Sequence, residues 1–327
     1  MQLDTMAQTE SDAVIEAVAK ASRVVITGHV DPDADAVGSA LGLYWALKEA
    51  GVRVDTVFGS ELPRELRPLP GFVKIRQTLP PSTDLVISVD CGSADRLDAT
   101  VPDGVDLVNI DHHRSNERFG RWNLVDPEAV CAAEVVYRLI RQAGWPVNGA
   151  SAQSLYTALA SDSGFFGFEG VGAETFDLAG RLIALGADPV MAAGMLRENR
   201  SLARVRLMAE ALGTLRLALG GRVAWVRVDR SMFERTGARD GDTDEIVDFA
   251  RSLATVEVGF LIRQNRDGSL KVSLRSKRRV DVGRIAVDFG GGGHRRAAGF
   301  AVRMSEEALL ARLFETLADH IDEEGVE

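Results

Sequence analysis

The sequence predicts an α/β protein of two domains: an N-terminal, doubly wound and mostly parallel sheet, then a smaller C-terminal α/β domain with a mixed sheet. Three observations support this fold class. Short apolar runs alternate with helix-like segments in the first half, a strand-free stretch of helical propensity occupies residues 190–219, and a second strand–helix pattern follows. The length of 327 residues also suits about two domains.

Four apolar runs in the first half predict buried strands. Each run is continuously apolar rather than alternating, which is typical of a parallel sheet covered on both faces. The first helix-like segment ends at Gly51, a residue type suited to a helix C-terminus. The predicted strands are residues 23–28, 53–59, 84–90 and 106–111, and the predicted helices are residues 37–51, 131–144, about 150–159 and 174–186.

The second half has its own organisation. Residues 190–219 contain no proline and no strand-like run, so we interpret them as one or two helices that connect the domains. The turn sequence NRDG predicts a hairpin between two later strands. The predicted strands are residues 222–229, 256–264 and 270–276, and the helices are about 242–253, 281–288 and 305–323. The predicted divisions are a first domain at 1–192, a helical linker at 193–216 and a second domain at 217–327.

The charge distribution limits the range of partners. A net charge of −10 disfavours a protein that grips long duplex nucleic acid through its phosphates. Residues 263–296 are different, because ten basic and three acidic residues give them a charge of +7. This segment suits a small anionic ligand, although a solvated basic loop explains it equally well. Two cysteines, a polar N-terminus and no long apolar run predict a reduced, cytoplasmic protein without a membrane span.

Acidic and imidazole side chains follow three predicted strands and one predicted helix of the first domain. The carboxyl ends of parallel strands share one edge of a sheet, so these side chains are expected to lie together. Asp and His are ligands that divalent Mn, Mg or Zn accept. Helix capping explains Asp33 or Asp35 taken alone, but not the same chemistry at all three of these strand ends. The candidate metal ligands are His29, Asp33, Asp35, Asp90, His112 and Asp162.

So many carboxylates at one edge of a sheet predict more than one cation. Neighbouring carboxylates raise each other's pKa, and divalent ions between them relieve that repulsion. Two ions about 3.5–4 Å apart activate a bridging hydroxide and clamp the attacked phosphorus. The predicted reaction is therefore in-line hydrolysis of a phosphoester.

These motifs, in this order, resemble those of the DHH family of phosphoesterases, named for the triplet Asp111-His112-His113. The resemblance runs from about residue 12 to about residue 318. The second domain is similar to the family's associated C-terminal domain. The other matching motifs are residues 29–35 with Gly38-Ser39, Asp90 at a strand end, Asp162-Ser163-Gly164, the stretch 273–276 and the glycine-rich run 290–299.

Within the family, the layout resembles the NrnA type, nano-RNases that cut very short oligoribonucleotides and often act as phosphatases on pAp. Related members hydrolyse c-di-AMP or pApA, and that activity is the alternative. The resemblance implies a homodimer and two Mn²⁺ ions, with Mg²⁺ or another divalent ion possible. It implies that His29 and Asp33 hold one ion, that Asp35, His112 and Asp162 hold the other, and that Asp90 bridges both. It also implies that His113 faces the scissile phosphate and that Asp111 orients an imidazole.

Substrate selection is assigned to a different set of residues. Successive glycines let backbone N–H groups approach a phosphate, although a flexible hinge also explains such a run. Arg275, near a strand end, offers a guanidinium fork for a terminal phosphate. The predicted ligands are short RNA or DNA oligonucleotides or small nucleotides, and a non-catalytic nucleotide sensor is the alternative from another class. The candidate substrate-binding residues are Arg275, Ser276, Gly291, Gly292, Gly293, His294 and Arg114.

Overall fold

In the computed structural model, which describes residues 5–323, the chain divides into two units, Met1–Asn199 and Arg200–Glu327. Each unit is built on its own sheet, of five strands in the first and six in the second. The fold class is therefore the predicted one, an α/β protein with one parallel and one mixed sheet.

The sheet of the first unit is entirely parallel, with the strand order β2-β1-β3-β4-β5. The four predicted strands are present, and a fifth was not predicted because its sequence, WNLV, is short and is interrupted by a polar residue. The strands are β1 (Val24–Thr27), β2 (Val54–Thr56), β3 (Leu85–Val89), β4 (Asp106–Asp111) and β5 (Trp122–Val125). Their parallel order brings the ends of β1, β3 and β4 to one edge.

Among the residues that the structure describes, six α-helices accompany this sheet, and most of their buried apolar side chains belong to one core with those of β1, β3 and β4. On the opposite face, Val25, Val57 and Val86 form a smaller cluster with Ala99. The first helix was not predicted. The helices are α1 (Thr5–Lys20), α2 (Ala34–Glu49), α3 (Ala132–Ala143), α4 (Gly149–Asp162), α5 (Ala173–Ala184) and α6 (Pro189–Ala193).

A close contact between α2 and α4 positions two of the candidate ligands. A Cβ atom on Gly38 would lie 2.7 Å from the carbonyl oxygen of Ser154, so only glycine lets the helices approach this closely. Asp35 is in the first turn of α2 and Asp162 is the last residue of α4. The contact thus brings the start of one helix beside the end of the other.

The helices of this unit are short. Among residues 5–323, no single helix combines the length and the apolar composition of a membrane span. α5 and the segment Pro189–Glu198 meet that requirement only together, and a bend of 113° separates them.

Residues 190–219 are helical for most of their length but not at their end. A π-helical turn, Gly194–Glu198, continues α6, and α7 (Leu202–Leu212) packs its buried side chains within the second unit. The prediction of a stretch without strands was wrong at residues 216–218. This short segment, β6 (Arg216–Ala218), pairs antiparallel with the next strand, and pairing overrides a weak helical propensity.

The second unit contains a mixed sheet in the order β10-β11-β9-β8-β7-β6. β7 and β8 are parallel and the remaining pairs are antiparallel. Along β9 the side chains alternate, so Leu270, Val272 and Leu274 enter the core while Lys271 and Arg275 lie on the other face. The further elements are β7 (Val223–Val228), α8 (Arg230–Thr236), α9 (Ile246–Ser252), β8 (Val258–Gln264), β9 (Leu270–Ser276), α10 (Val282–Asp288), β10 (Gly292–Gly293), β11 (Ala297–Val302) and α11 (Glu306–Glu323).

Candidate metal centre

Each candidate ligand of the first unit lies close to the start or the end of a strand or helix. His29 follows β1, Asp90 follows β3, and β4 ends at Asp111, directly before His112. Asp33 precedes α2 and caps it, because its Oδ1 accepts hydrogen bonds from the backbone N–H groups of residues 35 and 36, at 2.9 and 3.0 Å. The topology therefore gathers these side chains at one edge of the sheet.

The first group of possible ligands consists of His29, Asp33 and Asp90, whose donor atoms lie within 4.8 Å of one another. His29 Nε2 is 3.6 Å from Asp90 Oδ2 and 3.9 Å from Asp33 Oδ1. His29 Nδ1 is 2.8 Å from the carbonyl oxygen of Val30, and since a carbonyl only accepts, Nδ1 carries the proton. Nε2 is therefore the ring nitrogen that faces the carboxylates.

The second group consists of Asp35, His112 and Asp162. His112 Nε2 is 3.5 Å from Asp162 Oδ2 and 3.9 Å from Asp35 Oδ2. His112 Nδ1 is 3.3 Å from the carbonyl oxygen of Ala129, which again leaves Nε2 for the cluster. The two groups repeat one arrangement of an imidazole with two carboxylates.

Asp90 lies between the two groups. Its Oδ2 is 3.6 Å from His29 Nε2 and its Oδ1 is 3.5 Å from His112 Nε2. Asp90 has a φ of 54°, an uncommon conformation for a residue with a side chain, and it is 3% exposed. Its Oδ1 is buried and accepts no hydrogen bond from the described residues. A buried acceptor in this state is costly, and a bound cation would satisfy it.

Asp35 is held by a helix that is distant in sequence. Its Oδ2 accepts a hydrogen bond from the backbone N–H of Ala132 at 2.7 Å, and its Oδ1 accepts one from Ser39 Oγ at 2.8 Å. The N–H of Ala133 also points at Oδ1, at 3.3 Å. The N-terminus of α3 therefore faces this carboxylate, and the helix dipole favours its ionised form.

A hydrogen-bonded chain supports His113. Asp111 is fully buried, its Oδ1 lies 2.8 Å from His113 Nδ1, and its Oδ2 accepts from Asn116 Nδ2 at 2.6 Å. Asn116 also donates to Asn109 Oδ1 at 2.8 Å. The sequence analysis did not assign this role to Asn116. The one available signal was Asn109, a polar residue inside an otherwise apolar strand.

The electrostatics of the cluster point to bound cations. Burial lowers the pKa of His29, but the carboxylates of Asp33 and Asp90 outweigh it and raise this pKa to about 11. For His112 burial acts in the same direction, and Asp90, Asp162 and Asp35 likewise raise its pKa to about 11.

The pKa values of the two carboxylates in the second group are raised. Burial, aided by the charge of Asp90, raises the pKa of Asp162 to about 7 and that of Asp35 well above its usual range. The four carboxylates of the two groups carry −4 when ionised, a charge that two divalent ions balance. The donor set, the charge and the unsatisfied Asp90 oxygen all fit such a pair of ions.

The candidate substrate-binding side chains differ in their burial and in their bonding partners. Arg275 is half-buried on β9, and its Nη1 donates to the carbonyl oxygen of Leu274 at 3.1 Å. Ser276 is fully buried, and its hydroxyl points at the carbonyl oxygen of Arg295 at 3.4 Å. In the first unit, Arg114 is exposed and forms an ion pair of 2.6 Å with Glu128.

The glycine-rich run has backbone roles within the second unit. Gly290 has a φ of 78° and ends α10, while the N–H of Gly291 donates to the carbonyl oxygen of Ala286 at 2.8 Å. This is the Schellman arrangement of a helix C-terminus. Gly292 and Gly293 form β10. In the turn that follows, the N–H of His294 donates to the carbonyl oxygen of Ala297.

In the first unit, imidazole and carboxylate side chains lie together at the ends of parallel strands. This arrangement defines an α/β protein with a candidate centre for two divalent ions. Residues 23–161 match the model of the DHH family N-terminal domain, and residues 220–322 match the DHHA1 domain. The chain is 32% identical to the bifunctional oligoribonuclease and PAP phosphatase NrnA of Thermus thermophilus, over 92% of this chain and 91% of that protein. It therefore belongs to the DHH family of phosphoesterases.

Other comparisons agree with this family. The NrnA of Bacillus subtilis is 27% identical over 94% of this chain and 98% of that protein. The cyclic-di-AMP phosphodiesterase GdpP of Geobacillus thermodenitrificans is 27% identical over 88% of this chain, but over only 46% of its own length. The crystal structure of an exopolyphosphatase-related protein from Bacteroides fragilis superposes with a TM-score of 0.86 at 26% identity, covering 96% of this chain and 97% of that one.

Proposed function

We propose that the protein hydrolyses short oligoribonucleotides to mononucleotides and removes phosphate from 3′,5′-bisphosphate nucleotides, using two divalent ions. The single observation that carries this proposal is the position of Asp90, whose two carboxylate oxygens face two separate groups of possible ligands. Similarity to two NrnA proteins over nearly their whole length supports the choice of substrate.

The proposed ligand sets follow the two groups. His29 and Asp33 hold one ion, Asp90 contributes to both, and the second group (Asp35, His112 and Asp162) holds the other. When bound, such ions supply Lewis acidity at the phosphate and lower the pKa of water. The N-terminus of α3 and the hydroxyl of Ser39 orient Asp35 and offset part of the cost of burying its charge. The proposed metal is Mn²⁺, with Mg²⁺ as the alternative.

His113 is the proposed contact to the scissile phosphate. Asp111 holds the Nδ1 of His113 and so fixes the orientation of the ring, and Nε2 is the nitrogen proposed to face a phosphate oxygen. Asp111 acts through His113, and Asn116 in turn orients Asp111. On the second unit, Arg275 is proposed to bind a terminal phosphate, as is His294. Gly292 and Gly293 are proposed backbone contacts, and Arg114, Ser276 and Gly291 are predicted contacts whose polar groups already have partners within the chain.

The charge of the two units supports short substrates. Residues 1–199 have 28 acidic and 16 basic residues, whereas residues 200–327 have 20 and 22. An acidic unit that holds the metal cluster repels a long polyphosphate backbone, while a short substrate presents few phosphates to it. The predicted homodimer is checked by light scattering on the purified protein.

The test is an assay of the purified protein with Mn²⁺ on RNAs of two to five nucleotides, on pAp and on c-di-AMP. We expect release of mononucleotides from the RNAs and of phosphate from pAp, and no activity in a matched Asp90→Asn preparation. If the protein turns over none of these substrates, the proposal is wrong. The c-di-AMP assay tests the alternative that the GdpP similarity favours. If kcat/KM is higher on c-di-AMP than on RNA, c-di-AMP replaces short RNA as the proposed substrate.

A further inference from the structure

Arg275, the proposed phosphate-binding arginine, lies beside a carboxylate of α9. Arg275 Nε is 3.8 Å from Asp248 Oδ1, and the same oxygen is 3.2 Å from Arg251 Nη2. One carboxylate thus lies between two guanidinium groups, and the three side chains together keep a charge of +1. Two arginines this close repel each other unless a carboxylate separates them.

Close packing of α9 on the sheet places Asp248 there. Gly259 on β8 is the cross-strand neighbour of Arg275 on β9. A Cβ atom on Gly259 would lie 2.5 Å from the backbone nitrogen of Arg251, so α9 rests directly on this strand. The position of Asp248 relative to Arg275 is therefore fixed by backbone contact and not by flexible side chains alone.

The Asp248 oxygen that faces the arginines can accept a further hydrogen bond. Its Oδ1 is buried and accepts no well-aligned hydrogen bond from the described residues. A buried carboxylate oxygen is tolerated when positive charge compensates for its lost hydration. Arg251 and Arg275 supply that charge, so the three groups stabilise one another as a set.

We infer that Asp248 is a positioning residue for Arg275, facing the Nε side of the guanidinium so that Nη2 is presented to a terminal phosphate. This inference rests on the proposed function, in which Arg275 binds that phosphate. Nη1 is already bonded to the carbonyl oxygen of Leu274, and the Asp248 carboxylate lies 3.8 Å from Nε, so acceptors face two sides of the planar group. A pre-oriented guanidinium binds phosphate more tightly, since less side-chain freedom is lost on binding.

The test compares Asp248→Asn with a matched control, Glu245→Gln. Glu245 immediately precedes α9 and pairs with Arg200 at 2.8 Å rather than with Arg275. Calorimetry in metal-free buffer gives Kd for the dinucleotides pApA and ApA, independently of turnover. We expect Asp248→Asn to weaken pApA binding by about fivefold to tenfold and ApA binding by less than about twofold. The control leaves both values unchanged, and Asp248→Glu restores part of the loss.

Two further variants distinguish failure of the phosphate role of Arg275 from failure of the positioning role of Asp248. Arg275→Ala is expected to remove the preference for pApA over ApA, and Asp248→Asn in that background adds no further loss. If Arg275→Ala leaves the preference intact, the proposed phosphate role of Arg275 fails. If Arg275→Ala removes it but Asp248→Asn leaves it unchanged or strengthens pApA binding, only the positioning role is wrong. Equal weakening of both ligands by Asp248→Asn would indicate general misfolding and would also overturn the inference.

Discussion

In the first unit the candidate residues come from four separate segments of the chain, whereas in the second unit most of them come from one hairpin strand and the run that follows α10. The separate segments converge because parallel strands end at one edge, and their side chains are within 4.8 Å of their neighbours in each group. The glycines of the second unit instead end a helix and pair in a sheet.

The difference shows when a sequence motif reports on chemistry and when it reports on backbone geometry. A carboxylate or an imidazole after a strand has no structural reason to recur on three neighbouring strands, so its repetition is informative. A glycine run has several structural reasons, and here Gly290 and Gly291 fulfil two of them. A ligand role in the second unit must therefore be tested against a structural one.

The largest effect is expected at the centre of the cluster. Asp90→Asn removes a charge that faces both groups, and we expect kcat/KM to fall about a thousandfold or more, roughly 4 kcal/mol of transition-state stabilisation. Steady-state kinetics on a short RNA measures this. Asp55→Asn is the control, because Asp55 is a partly buried carboxylate of the same sheet that pairs with Arg76 outside the cluster. Equal losses in both variants would contradict a special role for Asp90.

Two neighbouring glycines separate structure from binding in the second unit. A Cβ atom on Gly291 would lie 2.2 Å from the carbonyl oxygen of Gly299, whereas one on Gly292 meets no atom within 4 Å. Gly291→Ala is therefore expected to lower the free energy of unfolding by about 2–4 kcal/mol and Gly292→Ala by less than about 1 kcal/mol. Chemical denaturation measures both, and a stable Gly292→Ala variant with weakened nucleotide binding would support a ligand role for this glycine.

A smaller loss is expected at Asn116, which acts on His113 through Asp111. Asn116→Ala should reduce kcat/KM by about 10-fold to 100-fold, as removal of an outer hydrogen-bond partner does at metal sites. Asn123→Ala is the control, since Asn123 bonds only to the backbone of Gly120 among the described residues. If the two variants lose activity in parallel with their melting temperatures, the proposed chain of hydrogen bonds has no catalytic role.

The smallest effect is a dependence of metal stabilisation on pH. The folded protein without metal has a pKa of about 7 at Asp162, above the ordinary 3.8, so it retains a proton that the unfolded chain releases between these values. Its stability therefore falls as pH rises through this range, and the raised pKa of His29 extends the fall above 6.5. Bound divalent ions replace these protons.

We accordingly expect the rise in Tm on adding Mn²⁺ to be several degrees larger at about pH 8 than at about pH 6. Thermal unfolding at both pH values, with and without EDTA, measures the difference. A rise that is the same at both pH values, or larger at the lower one, would contradict the proton–metal exchange.

Sequence reasoning reached the parallel sheet and the convergence of the strand ends, because both follow from local patterns and topology. It did not reach the N-terminus of α3 beside Asp35, since Ala132 lies 97 positions away and only tertiary packing brings the two together. It likewise missed the bond between Asn116 and Asp111, which depends on how a loop closes. β11 escaped prediction because alanine and glycine in AAGFAV give little strand signal.

One cluster in the first unit is proposed to hold two divalent ions that share Asp90. Crystals grown with Mn²⁺ and measured at the manganese absorption edge test it directly. Two anomalous peaks are expected, one among His29, Asp33 and Asp90 and one among Asp90 and the group Asp35, His112 and Asp162. At least one of them should be lost in Asp90→Asn. A single peak away from Asp90, or two peaks that persist unchanged in the variant, would contradict two ions that share Asp90.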